Sequence, residues 1–341
     1  MSLLGVDVGT SGCKAAVFSI NGRCLSSAYR EYTPERPRPG RAQLDSQLVW
    51  DKVKQVISQV AVAAGKDKPV AMSVSSIGEA FIPVSADREI LGPAILSFDT
   101  RGSQYSQALV REFGLKNFYR INCNLPGPHL SLPKLLWIRE HQPQLYRKAD
   151  YFLLWADLVN FLLGAEPVTT NSLASRTLLF DFSRQDWSEP LLSWSGLDRE
   201  KLARIVPAGK VVGKIAPSLT EELNLPGGLL LVSGGHDQCL NALGCGAIAP
   251  GKLVCGLGTY ECLAPVYSPL ADPLKLLPEK LNMENHVVPG LVVSFLYHQA
   301  GLLVRWFRDT FASSESASAD IYRRLNQEIP EQPTGLFVLP H

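Results

Sequence analysis

One pattern occurs twice in this chain and constrains its fold more than any other. An apolar run at residues 3–8 ends at Gly9-Thr10-Ser11-Gly12, and residues 14–20 resume it. Far downstream, residues 253–264 repeat the theme: a strand, a Gly256-Leu-Gly258-Thr259 turn, a strand. Glycine has no Cβ, so such turns let main chain bend tightly and approach a ligand closely. Two hairpins of this kind predict two domains, each opening on one, with the boundary near residues 240–252. We expect domains over 1–245 and 246–341. The second is short, and the chain stops just after the apolar, strand-like run Leu336-Phe-Val-Leu-Pro-His341. Compact domains seldom end on a strand with no partner to follow, so the second domain is expected to be incomplete.

Local signals fill in the first domain. Asn21-Gly22 predicts a type I′ hairpin turn, with a third strand over residues 23–33. Asp45 or Ser46 can cap a helix on which Leu48, Val49, Val53, Val56, Ile57 and Val60 recur at helical spacing, and Gly65 ends it. Strands are expected at 70–75 and 80–84 around Ser76-Ile-Gly-Glu79, and helices at 103–113, 134–142 and 155–163. A strand at 229–233 runs into Gly234-Gly-His-Asp-Gln238, and a small-residue helix over 241–249 is broken by Pro250-Gly251.

Composition excludes several classes. The 341 residues are 46% hydrophobic and 19% charged, too apolar for disorder. Lys+Arg exceeds Asp+Glu by only 33 − 32 = 1, which gives no electrostatic reason for nucleic acid or an anionic membrane as partner. No apolar run is long enough to span a bilayer, and the N-terminus does not read as a secretory signal. Seven scattered cysteines without a Cys-x-x-Cys pair predict reduced thiols in a cytoplasm, not a disulfide frame or a zinc site.

Four constellations carry chemistry. In Asp7-Val-Gly-Thr-Ser-Gly-Cys-Lys14, the N–H groups around Gly9, Thr10, Ser11 and Gly12 can cradle an anion, Lys14 adds charge, and Asp7 can hold hydrated Mg²⁺; the alternative is an ordinary hairpin turn. Asp237 follows a strand, as a general base or a helix cap, with Gln238 suited to a hydroxyl; His236 reads as a packing or hydrogen-bonding residue. Gly258-Thr259 gains weight from its pairing with the first turn, since two such turns can clasp one phosphate chain. Glu79 with Asp99 and Arg101 suits a polyhydroxy ligand, or makes a surface ion pair, and His129 is equally open.

Together these pieces resemble the FGGY family of carbohydrate kinases, in the actin-like ATPase superfamily, through essentially the whole chain. Asp7–Lys14 is similar to the family's first phosphate loop. Residues 92–101 are similar to its Asp-x-Arg segment, with Ser97 where Trp is usual. Leu132-Pro-Lys-Leu-Leu-Trp-Ile-Arg-Glu-His141 resembles the xylulokinase and glycerol kinase stretch, and Trp187-Ser-Glu and residues 206–213 resemble the later first-domain pattern. Gly235-His-Asp-Gln238 resembles the loop of the catalytic Asp, Gly258-Thr259 the second phosphate loop, and residues 300–309 the helix that approaches the nucleotide. Two departures stand out. Ser76-Ile-Gly-Glu79 replaces the Gln-Met-His-Gly of the xylulokinase type, and His129 fills the place of an aromatic. The glycine-rich adenosine loop lies beyond the Gly335–Pro340 segment in the family, and this sequence does not contain it.

The resemblance implies an α/β, ribonuclease H-like fold of two domains flanking a cleft, and ATP-dependent phosphorylation of a small sugar or polyol. Xylulose comes first; glycerol, erythritol-like polyols and gluconate follow. It implies Asp237 as general base, and Asp7 and Asp237 at Mg²⁺. Gly9, Thr10, Ser11, Gly12, Lys14, Gly258, Thr259, Gly301 and Arg305 would hold ATP. Glu79, Asp99, Arg101, His129, Asp237 and Gln238 would line the sugar site. A homodimer is compatible with it. The alternatives are a non-catalytic sugar-binding remnant and an actin-like scaffold; Glu79 and Gln238 argue against the scaffold. Residues 1–341 alone are expected to bind sugar and to transfer phosphate negligibly.

Overall fold

The computed structural model describes residues 1–257, 260–312 and 321–338. Its larger sheet has six strands, in the order Val211–Lys214, Leu230–His236, Pro69–Ser76, Ser2–Val8, Gly12–Ser19, Cys24–Glu31. Pro69–Ser76 is parallel to both of its neighbours, and the outer pairings are antiparallel. Three parallel strands therefore end at one edge, at Val8, Ser76 and His236.

Period-2 burial orients this sheet. Leu4, Val6 and Val8 alternate inward along Ser2–Val8 and join Val53, Val56 and Ile57 of the helix Ser46–Ala63 in one core. Asp45 caps that helix, its Oδ1 accepting the N–H groups of Gln47 and Leu48 at 3.0 Å each. Leu48, expected on the apolar face, is 45% exposed instead; it stands one position off the Val49–Val53–Val56–Val60 stripe.

Four further expectations need correction. The turn after Ser19 is not type I′, because only Gly22 has positive φ (80°) and Asn21 does not. Gly22 N–H donates to Ser19 C=O and Ser19 N–H to Arg23 C=O, both at 2.9 Å, the longer loop in which one left-handed residue suffices. The helix expected at 134–142 begins at Ser131. The strand expected to stop at 233 continues to His236 through a register shift between Val232 and Gly235, and the helix runs Asp237–Gly244. Of the strand-like run at 336–341, residues 336–338 belong to no strand among the described residues and are exposed, Phe337 by 94%, and 339–341 lie outside the described residues.

The smaller sheet is antiparallel. Lys252–Leu257 pairs with Tyr260–Tyr267, which also pairs with Val292–Val293 and Leu296–Gln299; Glu284–Asn285 flanks Val292–Val293. Its inward residues Val254, Cys262, Ala264 and Val293 share a core with Cys239 and Ala242 of the helix Asp237–Gly244. That helix thus runs from the edge of the large sheet into the packing of the small one. No described helix is long and apolar enough to cross a membrane.

Candidate active site

The carboxyl edge of the three parallel strands opens on a cleft of about 960 Å³. Thr10, Ser11, Gly78, Glu79, His129, Arg176, Asp237 and Gln238 line it from the large-sheet side. Gly256, Leu257, Cys262 and Tyr297 face them from the small sheet.

The first loop is tied down at its carbonyls. Gly9 N–H donates to Gly12 C=O at 2.9 Å, Tyr32 Oη to Gly9 C=O at 2.8 Å, and Tyr32 N–H to Ser11 C=O at 3.0 Å. The amide N–H groups of Thr10 and Ser11 donate to no described acceptor. Neither Gly9 nor Gly12 has positive φ, so conformational freedom does not explain them. At Gly12 the reason is space: a Cβ there would lie 2.5 Å from the Tyr29 ring. Asp7 and Lys14 face each other across the hairpin. Burial raises the Asp7 carboxyl above its ordinary value, against the opposing pull of a Ser75 hydrogen bond and of Lys14.

Asp237 is the first residue of its helix, and His236, not Asp237, stands at the cap position. Asp237 Oδ1 accepts the Gln238 N–H at 2.6 Å. Burial, then the charges of Asp7 and Glu79, push its carboxyl up to about 7. His236 is buried against Phe295, ring centroids 5.2 Å apart, and burial with the Arg176 charge keeps it neutral. It lines the cleft as well as packing.

Glu79 stands in the left-handed region, φ 64°, and Ser131 Oγ donates to its carbonyl at 2.7 Å. Its carboxylate pairs with Arg176, which also pairs with Glu284 of the small sheet. Neither Arg176 nor Glu284 stood out in the sequence, because each is separated from its partner by about a hundred residues. His129 lies at the wall, its pKa lowered to about 4 by burial and by Arg176 and Lys134.

Asp99 and Arg101 make a buried pair, not a surface one. Arg101 Nη2 donates to Asp99 Oδ2 at 2.7 Å and to Gln43 Oε1 at 3.0 Å, and Ala42 N–H donates to Asp99 Oδ2 at 2.6 Å. Ser97 and Phe98 reach the cleft wall; Asp99 and Arg101 stand behind it. Gly301 and Arg305 lie on the helix Gly301–Phe311 and are not among the residues that line this cleft. Gly258 and Thr259 lie outside the described residues.

No described cluster of three or more His, Cys, Asp or Glu side chains is placed to hold an ion. Asp7 and Asp237 are electrostatically coupled. Two carboxylates without an all-protein cage fit Mg²⁺ held largely by water and phosphate oxygens. The unpaired Thr10 and Ser11 amides fit a phosphate. All seven cysteines are unpaired thiols.

A model of the FGGY family of carbohydrate kinases, N-terminal domain, matches residues 2–244. The chain belongs to that family. It is 27% identical over 342 residues to a xylulose kinase of Bacillus subtilis, covering 98% of this chain and 66% of the relative. It is 27% identical over 360 residues to an autoinducer-2 kinase of Salmonella choleraesuis, covering 99% and 66%. The chain thus spans just under two thirds of the length of these curated relatives. A xylulose kinase structure from Rhodospirillum rubrum matches at TM-score 0.87 and 22% identity, over 97% of this chain and 68% of that one. That likeness shows the fold, the actin-like ATPase fold of these kinases.

Proposed function

We propose that this chain carries the acceptor site and first phosphate loop of an ATP-dependent kinase acting on a neutral sugar or polyol, a pentulose such as xylulose first. The observation that supports this best is convergence. A carboxyl pushed up to about 7, the Glu79 carboxylate and the Gln238 amide share a cleft with two unpaired amides. A general base works best with a pKa near the operating pH. Asp237 takes the proton of the attacking hydroxyl as its oxygen bonds to the transferred phosphorus. Glu79, His129 and Gln238 hold neighbouring hydroxyls. Thr10 and Ser11 N–H groups, with Lys14, hold the transferred phosphoryl, whose transfer needs positioning and charge neutralisation above all. The phosphoryl would come from ATP, the bond from its phosphorus to the bridging oxygen breaking as the new one forms and ADP leaving, and Mg²⁺ would supply charge neutralisation there. Asp7 and Asp237 would hold the ion through water; Gly9 and Gly12 shape the loop. Gly258, Thr259, Gly301 and Arg305 belong to the nucleotide side by family resemblance. Asp99 and Arg101 support the Ser97–Phe98 wall.

A neutral substrate follows from charge. Arg176 is compensated by Glu79 and Glu284, His129 and His236 are neutral, and Asp237 adds a carboxylate. An aldonate would find its carboxylate facing acids. A cytoplasmic setting suits the unpaired thiols.

A coupled ATP assay over pentuloses, polyols and aldonates, with sugar binding by calorimetry, tests this reading. Binding of a neutral ketose or polyol is expected for residues 1–341, and turnover of the same compound for the full-length protein. Sugar binding without transfer would favour the non-catalytic reading, and exclusive turnover of an amino pyranose would overturn the substrate class.

A further inference from the structure

We propose that Arg176 is a positioning residue of the acceptor site, acting through Glu79; this rests on the acceptor-site reading above. Arg176 lies in the short turn Ser175–Thr177 and is buried. Its Nε donates to Glu79 Oε1 at 2.6 Å, and its Nη2 donates to the same oxygen. Its Nη1 donates to Glu284 Oε1, so the guanidinium is gripped from the small sheet as well. Both donors to Glu79 use one oxygen. Oε2 accepts no hydrogen bond from a described residue, nor is it a sealed, orphaned atom, so it stays open on a residue that lines the cleft.

The rest of Arg176 is equally constrained. A Cβ at Gly78 would lie 3.0 Å from Arg176 Cγ and 3.2 Å from its Cβ, so the arginine stem packs where a side chain at 78 would go. The guanidinium lies 5.8 Å from the Phe295 ring centroid. Glu79 is therefore held at its backbone by Ser131 and at one carboxylate oxygen by Arg176 before any ligand arrives. A carboxylate so fixed loses little side-chain entropy on gripping a hydroxyl. A lysine cannot reproduce the effect, because one ammonium cannot span two carboxylates as a planar fork does.

The test uses D-xylulose as probe. KM and kcat in the coupled assay on the full-length protein, and Kd by calorimetry, are measured for the wild type, Glu79→Gln, Arg176→Lys and the pair. Each single variant is expected to raise KM and Kd about tenfold or more, the range for a hydrogen bond to a charged group, with kcat within about threefold. The pair should be no worse than Glu79→Gln alone to within about twofold, since residues acting through one contact are not additive. Unchanged KM and Kd in Arg176→Lys, losses that multiply in the pair, or a fall in kcat at constant KM would overturn the proposal. If Arg176→Lys does not fold, Glu284→Gln takes its place with the same expected direction in KM and Kd and the same limit on kcat, because it weakens the second grip on the guanidinium and touches neither Glu79 nor Asp237. Glu79→Gln without effect on KM and Kd would sink the acceptor-site reading itself. A damaging Glu79→Gln beside a harmless Arg176→Lys would sink only the role of Arg176.

Discussion

Val8 and His236 stand level with each other, each in register with Ser76 of the strand between them. The loop after Val8 and the helix after His236 therefore leave the sheet at one height. That alignment brings Thr10 and Ser11 to the cleft that Asp237 also lines, although more than two hundred positions separate them in sequence.

Asp237→Asn keeps the shape of the side chain and cannot take a proton. In the full-length protein, turnover is expected to fall by about 10²–10⁴ while sugar affinity changes little. Stopped-assay rates beside calorimetric sugar binding check this, and near-normal turnover removes Asp237 from the mechanism. With the carboxyl near 7, activity of the wild type should also rise with pH through neutrality.

Lys14→Ala removes a charge from the first loop. We expect kcat to fall more than sugar affinity, since the charge is opposed chiefly in the transition state. A change confined to the sugar KM would move the loop to the acceptor side.

Arg101→Ala would leave Asp99 buried without its cation. Breaking a buried pair from one side destabilises by about 3–5 kcal/mol. A clear drop in Tm is expected, with sugar affinity preserved in the folded fraction. A KM change at constant Tm would instead return both residues to the sugar site.

Asp157 is buried on the helix Trp155–Leu163, and burial pushes its carboxyl up to about 8, against the hydrogen bond that the Leu154 N–H donates to Oδ2 at 3.3 Å. The folded chain holds this proton up to about pH 8, whereas the unfolded chain releases it near the ordinary value of 3.8. Folded binds more protons than unfolded between those limits, so stability falls as pH rises through them, by up to ~1.4 kcal/mol per pH unit. Urea melts from pH 5 to 9 should show this slope, and Asp157→Asn should flatten it. An unchanged slope in the variant would assign the effect elsewhere.

The parts legible in the sequence are those governed by neighbours along the chain. The helix Ser46–Ala63 followed from Asp45 and a periodic stripe, and 103–113 and 155–163 were read to the residue. Glu79, His129, Asp237 and Gln238 were singled out and share one cleft. Arg176 and Glu284 escaped because their pairing is made by the fold, between segments with no shared local pattern. The Asp99–Arg101 pair was visible, but not its depth: burial behind Ser97 and Phe98 is a tertiary property. The strand end at His236 was missed because a register shift let it run past two glycines.

The level ends of the three central strands also limit how such a chain can diversify. One residue inserted into Leu230–His236 with no bulge to absorb it would advance the start of the Asp237–Gly244 helix by about 3.3 Å and turn the strand end to the opposite face of the sheet. Deletions do the same in reverse. An extra residue is borne in these strands only as a bulge upstream of their ends, as at the register shift between Val232 and Gly235. Novelty must enter by replacement within the cleft wall, or by growth of the connections between helices, where an added residue leaves the three strand ends where they are.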